Sequence, residues 1–503
     1  MRPTDRILKN TAFMYIALVI TVITGLYTSR LVITNLGVVD YGIYSLLGGL
    51  VLLFAIISGS MAGSVQRYLT VAIGQGDDRE TSRVFSASVV IHLLFAAAIF
   101  ILGVTIGRWF LENFLNIPPE RQDAASWVFH FVLISFALKV ITVPAQAMLN
   151  AFEVMGTLAF TTLIPTFGKL VAALALPLVG SDSLKTFSFL ICCVAIVEVI
   201  AIYTVTKMKI RSCKLVRVAE TKLYFDLLSF ASWGLIGEIS HSLKVQGVPI
   251  ILNIFFGPVA NAAYGIAGQV KHQLTTMAQI IIKTTNPQII KNYSTGYKEK
   301  CFTLVFQASK ICFGLLFIVT IPLLLETDLI LTFWLNEVPP LAITFTRLVI
   351  IVTLVEAVSF SLITLSRATG KIILYQSTVG GLLLLNLPVS YILLNNGMPP
   401  ETVYFVNIII AVIALFARLP ILKKTADLPV KSYCKNVLLN CAILFLLTGA
   451  GAFLINTQFE VTSMHINMFY IPLLSGCCAL FIILKGSERN YLINLIKARG
   501  NNG

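Results

Sequence analysis

The chain has 503 residues, of which 57% are hydrophobic and only 12% charged, and its mean hydropathy is +0.88. Soluble domains carry about twice that share of charge, so the composition excludes an ordinary water-soluble globule and points to a lipid bilayer. The formal net charge of +14 on a soluble protein would indicate nucleic acid, but its distribution along this chain indicates topology instead.

In chain order, about fourteen apolar stretches are long enough to cross the hydrocarbon, which takes about 20 residues of helix. They cover approximately 11–34, 41–66, 84–107, 125–148, 157–179, 184–206 and 226–252, then 260–284, 303–325, 342–365, 372–394, 402–420, 436–455 and 467–485. The stretches are too long and continuous for barrel strands, and backbone polar groups in lipid must be satisfied internally, so the predicted class is an all-α polytopic membrane protein. The first span lacks a signal-peptide cleavage pattern and reads as retained.

Basic residues alternate with the spans. Arg2, Arg6 and Lys9 precede the first, and Arg67, Arg79 and Arg83 follow the second. Lys207 to Lys222 follow the sixth, and Lys283, Lys291, Lys298 and Lys300 the eighth. Arg367 and Lys371, then Arg418 to Lys435, then Lys485, Arg489, Lys497 and Arg499 follow the tenth, twelfth and fourteenth. The opposite connections hold little beyond Arg108, Arg121 and Lys185. By the positive-inside rule both termini are expected in the cytoplasm. The basic excess then reads as topology and attraction to anionic lipid, with no nucleic-acid partner.

A repeat organises the chain. GVVDYGIYSLLG at Gly37–Gly48 returns as GPVANAAYGIAG at Gly257–Gly268, with identities at Gly37/Gly257, Val39/Val259, Tyr44/Tyr264 and Gly48/Gly268. Gly76 and Gly296 are separated by the same offset. The expected domains are an N-terminal lobe over 1–206, a basic cytoplasmic linker over 207–222, and a C-terminal lobe over 223–425. Residues 426–503 carry two further helices and a cytoplasmic tail. Six spans per half make the repeat parallel, as in transporters whose pathway runs between two halves.

Several classes of chemistry lack their motifs. There is no GxxxxGK[ST] for nucleotide phosphates, no HExxH and no GxSxG. The nine cysteines include no CxxC, and Cys192–Cys193 and Cys477–Cys478 read as small hydrophobes. No catalytic residue, metal site or cofactor is expected, and any driving energy comes from an ion gradient, the membrane potential or the substrate's own gradient.

Ionisable residues inside the spans are the candidate functional groups, since each costs at least about 2.5–3.5 kcal/mol at a helix centre. They are Arg30, Lys139, Lys169 and Glu198 in the first half, and Glu238, His241, Lys244, Lys271, Lys310 and Glu356 in the second. Cations outnumber carboxylates, so a cavity lined by Arg30, Lys139, Lys169, Lys244 and Lys271 would favour an anionic ligand. Arg30, Lys139 and Lys310 are read as close enough to a span end for snorkelling to compete; Lys169 and Lys244 are read as deeper. Glu238, His241 and Lys244 recur at i, i+3 and i+6, either as an ion-coupling or ligand site using Glu238 or His241, or as an internally satisfied polar cluster. His92, His130, His272 and His465 read as packing or interfacial. Pro144, Pro165, Pro249, Pro322 and Pro388 are read as interruptions that permit bending.

LNIFFGPVANAAYGIAGQV at 252–270 and TNPQIIKNYSTG at 285–296 resemble the polysaccharide-export branch of the multidrug/oligosaccharidyl-lipid/polysaccharide exporter superfamily. KNTAFMYIALVITVITGLYTSRLVITNLGVVDYGIYSLLGG at 9–49, SVQRYLTVAIGQGD at 64–77, LLLETDLILTFWLNEVP at 323–339 and RATGKIILYQ at 367–376 continue that resemblance over about 9–430. Wzx-type flippases of lipid-linked oligosaccharides are the nearest likeness. The resemblance implies two six-helix lobes with alternating access, in the inner membrane of a Gram-negative bacterium. It implies an undecaprenyl pyrophosphate-linked oligosaccharide as substrate, H+ or Na+ where transport is coupled, and a transporter rather than an enzyme. An ion-coupled drug or metabolite exporter of the same fold is the alternative. A membrane glycosyltransferase or polymerase is disfavoured by the short outer loops.

Overall fold

A computed structural model describes residues 3–482, apart from 53–54, 153, 180–181, 211–212, 336, 370–371 and 459–469. Over 3–18, 55–60, 230–245 and 452–458, and at scattered single positions, it describes the backbone alone. Among the described residues there is no strand.

The first half runs α1 (Pro3–Leu52), α2 (Ala55–Gly74), α3 (Asp78–Leu102), α4 (Arg108–Phe114), α5 (Gln122–Ala151), α6 (Met155–Ala175) and α7 (Ser183–Lys209). The second runs α8 (Thr221–Ser294), α9 (Lys298–Leu325), α10 (Thr327–Leu335), α11 (Ala342–Ala368), α12 (Ile372–Tyr375), α13 (Gly381–Leu384), α14 (Asn386–Asn395) and α15 (Thr402–Ala426). Then come α16 (Val430–Tyr433), α17 (Leu439–Gln458) and α18 (Ile471–Ile482). Among the described residues, eleven helical runs are long and apolar enough to cross a membrane, and α18 is a shorter apolar one. Two of the eleven bend sharply, at Gly37 and Gly257. Taking each bent run as two legs and adding α18 recovers the fourteen spans of the sequence. The chain is an all-α, multi-pass membrane protein.

The bends are the repeat made visible. Gly37 has φ 78° and ψ 168°, and Gly257 has φ 72° and ψ −168°. That region of backbone space is essentially restricted to glycine. Gly76 and Gly296, at φ 71° and 82°, close α2 and α8, where a left-handed residue satisfies the last helical carbonyls. Helix starts follow the same register: α3 opens at Asp78 and α9 at Lys298, α5 at Gln122 and α11 at Ala342. Both halves therefore carry one plan of elements.

Four of the five prolines do not interrupt their helices. Pro144, Pro165 and Pro322 sit inside continuous α5, α6 and α9, and Pro249 inside α8; Pro388 lies in the first turn of α14, just after the break at Leu385 that separates it from α13. In lipid the carbonyl freed by proline needs only another donor. The sharp bends of α1 and α8 fall on glycine, where the sign of φ changes.

The chain divides by contacts into two compact units: Met1–Gly265 with Trp334–Pro340, and Ile266–Phe333 with Leu341–Gly503. The boundary lies within α8, so compact units and repeat halves partition the chain differently. The first unit packs α5 on α7 and α3, and α1 on α6. One of its cores gathers Met61, Leu69, Phe85, Met148 and Ile202. It also holds the contact between the two repeat copies. A Cβ on Gly42 would collide with the Pro258 carbonyl oxygen, and one on Gly265 would lie 2.6 Å from Ser45 Oγ. The second unit packs α11 on α9 and α15 around Leu274, Cys312, Phe317, Leu354, Leu419 and Tyr433.

Gly37 and Gly48 give a clean test of the bend. A Cβ at either position meets nothing within 4 Å, so only backbone conformation distinguishes them. Gly37→Ala should destabilise by on the order of 1–3 kcal/mol. Gly48→Ala, in ordinary helix, should be neutral or stabilising by roughly 1 kcal/mol. Thermal unfolding of the two purified variants reads the difference; equal melting temperatures would contradict the assignment of strain to Gly37.

Candidate functional site

In the first unit the candidate cations sit on helices that pack together. Arg30 is half-buried on the first leg of α1, Lys139 is exposed on α5 and Lys169 is exposed on α6. α1 packs against α5, α6 and α7, and Asn35 on α1 donates to the Ala173 carbonyl of α6 at 3.0 Å. The Lys169 ammonium stands 5.7 Å from the centroid of the Tyr44 ring. That ring meets Phe187 of α7 edge-on, 5.1 Å between centroids. An aromatic face attracts a cation without neutralising it.

Lys139 has a different environment. Its charge acts on the Glu198 carboxylate, which is buried on α7, the helix that packs against α5. With a rise of about 1.5 Å per residue, both residues lie roughly 15–25 Å from either end of their helices. Lys139 is thus deeper than its sequence position implied, because α5 runs on to Ala151.

In the second unit Lys271 on α8 and Glu356 on α11 form an ion pair at 2.9 Å. Lys271 therefore carries a counter-charge that Lys169 lacks among the described residues. The side chains of Glu238, His241 and Lys244 lie outside the described residues. The candidates thus fall into three situations: Lys169 on an aromatic ring, Lys139 opposed by Glu198, and Lys271 paired with Glu356.

Two basic residues stand apart from their sequence reading. Lys310 is not near an end but buried on α9, 4% exposed. Arg418, counted with the cytoplasmic loop after span 12, is buried within α15 at 7% exposure. Its Nε donates to the Tyr375 hydroxyl at 2.8 Å and its Nη1 to Ser359 Oγ at 3.2 Å. The missed signal was the apolar LPIL run at Leu419–Leu422, which prolongs the helix past the charge. His92 and His130 bond back to the carbonyls of Ser88 and Ser126, at 2.7 and 2.6 Å, as packing residues.

The connections of the first unit are tied by one guanidinium. Arg121 reaches Asp40 just beyond the Gly37 bend, with Nε to Oδ1 at 2.8 Å and a further contact from Nη2 to Oδ2. It also reaches Asp182, Nη1 to Oδ2 at 2.8 Å. Asp182 caps α7, accepting from the amides of Leu184 and Lys185. Burial works to raise the Asp182 pKa. The Lys185 amide, the Arg121 guanidinium and the Leu184 amide together outweigh it and hold the carboxyl below the usual range.

No protein-family model matches the sequence, and no curated protein matches it either. Solved structures do match. One is an inward-facing multidrug resistance MATE family transporter of the MOP superfamily, with a TM-score of 0.69 at 12% identity, over 81% of this chain and 96% of that one. Another is the lipid II flippase MurJ in an inward closed conformation, with a TM-score of 0.69 at 14% identity, over 96% of this chain and 99% of that one. The chain shares the fold of these two structures. At these identities the likeness concerns the fold alone.

The Asp182 cap sets a pH-dependent expectation. Asp182→Ala should cost about 1 kcal/mol at neutral pH, the usual loss for an N-cap. The native carboxyl titrates below its unfolded value of about 3.9. Its contribution is therefore complete above that value and is lost as pH falls through the native value. The melting-temperature gap between wild type and Asp182→Ala should narrow under acid; a gap unchanged down to about pH 3 would show that the charge contributes nothing.

Proposed function

We propose that the protein is a flippase for an undecaprenyl pyrophosphate-linked oligosaccharide, serving polysaccharide biosynthesis of the O-antigen or capsule type in a bacterial inner membrane. The observation that carries this reading is Lys169. It lies within α6 and rests on the Tyr44 ring, with no carboxylate within ion-pair distance among the described residues. An uncompensated cation inside an apolar helix is costly and is retained most readily where an anionic ligand visits. The fold likeness over 96% of the chain to a protein named as a lipid II flippase supports the same reading.

The proposed mechanism follows from charge and geometry. Two six-helix lobes, 1–206 and 223–425, flank the pathway and are joined by the 207–222 linker; both termini are cytoplasmic. Pyrophosphate and sugars enter a cationic cavity to which Arg30, Lys139, Lys169, Lys244 and Lys271 contribute, while the polyprenyl tail stays in lipid. The Lys271–Glu356 ion pair and the field of Lys139 on Glu198 favour Lys169 over these two cations for direct phosphate contact. The lobes then rock to open on the periplasmic side, with H+ or Na+ coupling through Glu238 or His241.

The MATE likeness favours a second reading, an ion-coupled drug or metabolite exporter. Drug exporters for organic cations want carboxylates, and the first half has only Glu198 well inside a span, already opposed by Lys139. Reconstitution in liposomes separates the two. A lipid-linked oligosaccharide placed in one leaflet should become accessible to an enzyme on the other side. Lys169→Ala should lower that rate at least about tenfold, the cost of one charge-assisted contact, and Lys244→Ala should impair it too, with normal protein in the membrane. Unchanged flipping in both variants would overturn the cationic cavity, and lowered dye accumulation in cells would favour the exporter.

A further inference from the structure

The two halves differ at one matched pair of positions. Lys139 and Glu198 lie on α5 and α7. Advancing each by the offset that separates Gly37 from Gly257 gives Ser359 on α11 and Arg418 on α15. These are themselves in contact, Arg418 Nη1 to Ser359 Oγ at 3.2 Å. In the first half the embedded charge is a carboxylate and its partner position supplies a lysine. In the second the embedded charge is a guanidinium and its partner position supplies only a hydroxyl. The repeat has kept the place of the charge and lost the counter-charge.

Nothing else among the described residues restores it. Arg418 makes no ion pair there, and its partners are the hydroxyls of Tyr375 and Ser359, both uncharged at neutral pH. Glu356, one turn from Ser359 on α11, is held by Lys271 at 2.9 Å. All three members of the cluster are buried: Arg418 at 7%, Tyr375 at 6% and Ser359 at 2% exposure. A buried cation without a partner is among the most costly arrangements in a folded chain.

The hydrogen-bond directions sharpen the chemistry. Tyr375 and Ser359 both accept from the guanidinium, so each keeps its own O–H proton, and neither donates to a described partner. Nη2 and the second Nη1 proton are further donors. The cluster thus presents N–H and O–H donors around one positive charge; each hydroxyl oxygen keeps a lone pair, but the guanidinium charge itself repels a cation. We infer that Arg418, Tyr375 and Ser359 form a binding site for one small monovalent anion of the chloride class, inside the second unit. A single guanidinium balances a single negative charge, so a monovalent anion matches the site better than a phosphate dianion. This site is independent of the flippase reading.

The test uses the purified full-length protein and chloride itself. Melting temperature is measured against chloride concentration at constant ionic strength, with gluconate as the bulky replacement. Ligand that binds only the folded state raises stability as its concentration exceeds the dissociation constant, so the wild type should show a saturable rise. Ser359→Asp places a carboxylate beside Arg418 and should abolish that rise while the protein stays folded in gluconate. Tyr375→Phe, which removes one donor, should shift the half-effect concentration upward about tenfold, the worth of one hydrogen bond to a charge. Equal melting in chloride and gluconate would overturn the site, as would an undiminished chloride response in Ser359→Asp. Should Ser359→Asp fail to fold, an unshifted response in Tyr375→Phe decides against it.

Discussion

Everything in this molecule follows from the rule that a backbone amide in hydrocarbon must find its partner inside the protein. The rule turns the apolar stretches into helices, and it leaves few ways to redirect them. A proline removes one donor and is absorbed within α5, α6 and α9. A glycine in the conformation of Gly37 or Gly257 redirects the chain outright. Charge obeys a similar constraint. Lys169 is answered by a ring, Lys139 and Lys271 by carboxylates, and Arg418 by hydroxyls.

Much of the fold was legible in the sequence because hydropathy reports the bilayer directly. The register of the repeat was legible too, since Gly37/Gly257 and Gly76/Gly296 mark positions whose φ is open to glycine. What was not legible was the depth of single charges. Arg418 looked like the start of a basic loop, and only α15's continuation to Ala426 buries it. Lys310 looked peripheral for the same reason. Helix ends blur by several residues in a sequence, and a helix rises about 1.5 Å with each residue. That blur decides whether a cation faces headgroups or protein.

The candidate site was partly legible. Composition identified the cations, but which of them is compensated depends on neighbours distant in sequence: Glu198 in the field of Lys139, Glu356 in ion-pair contact with Lys271, Tyr44 under Lys169. Spacing along one helix says nothing of a neighbour on another. Tyr44 was visible only as an identity of the repeat. Its ring under Lys169 gives that identity a physical use in one copy at least.

The close approach of the two repeat copies has a consequence for how such a chain can assemble. Gly42 admits the Pro258 carbonyl, and Gly265 admits Ser45. At the matched positions in the other copy stand Ala262 and Ser45 itself. Each copy therefore supplies bulk where the other supplies a gap, like a tenon and its mortise. Two first copies brought together in this way would set Ser45 against Ser45, and two second copies would leave the seat of Ser45 empty. The duplicated sequence has become self-incompatible, and its two copies are no longer interchangeable: the joint closes only between unlike halves.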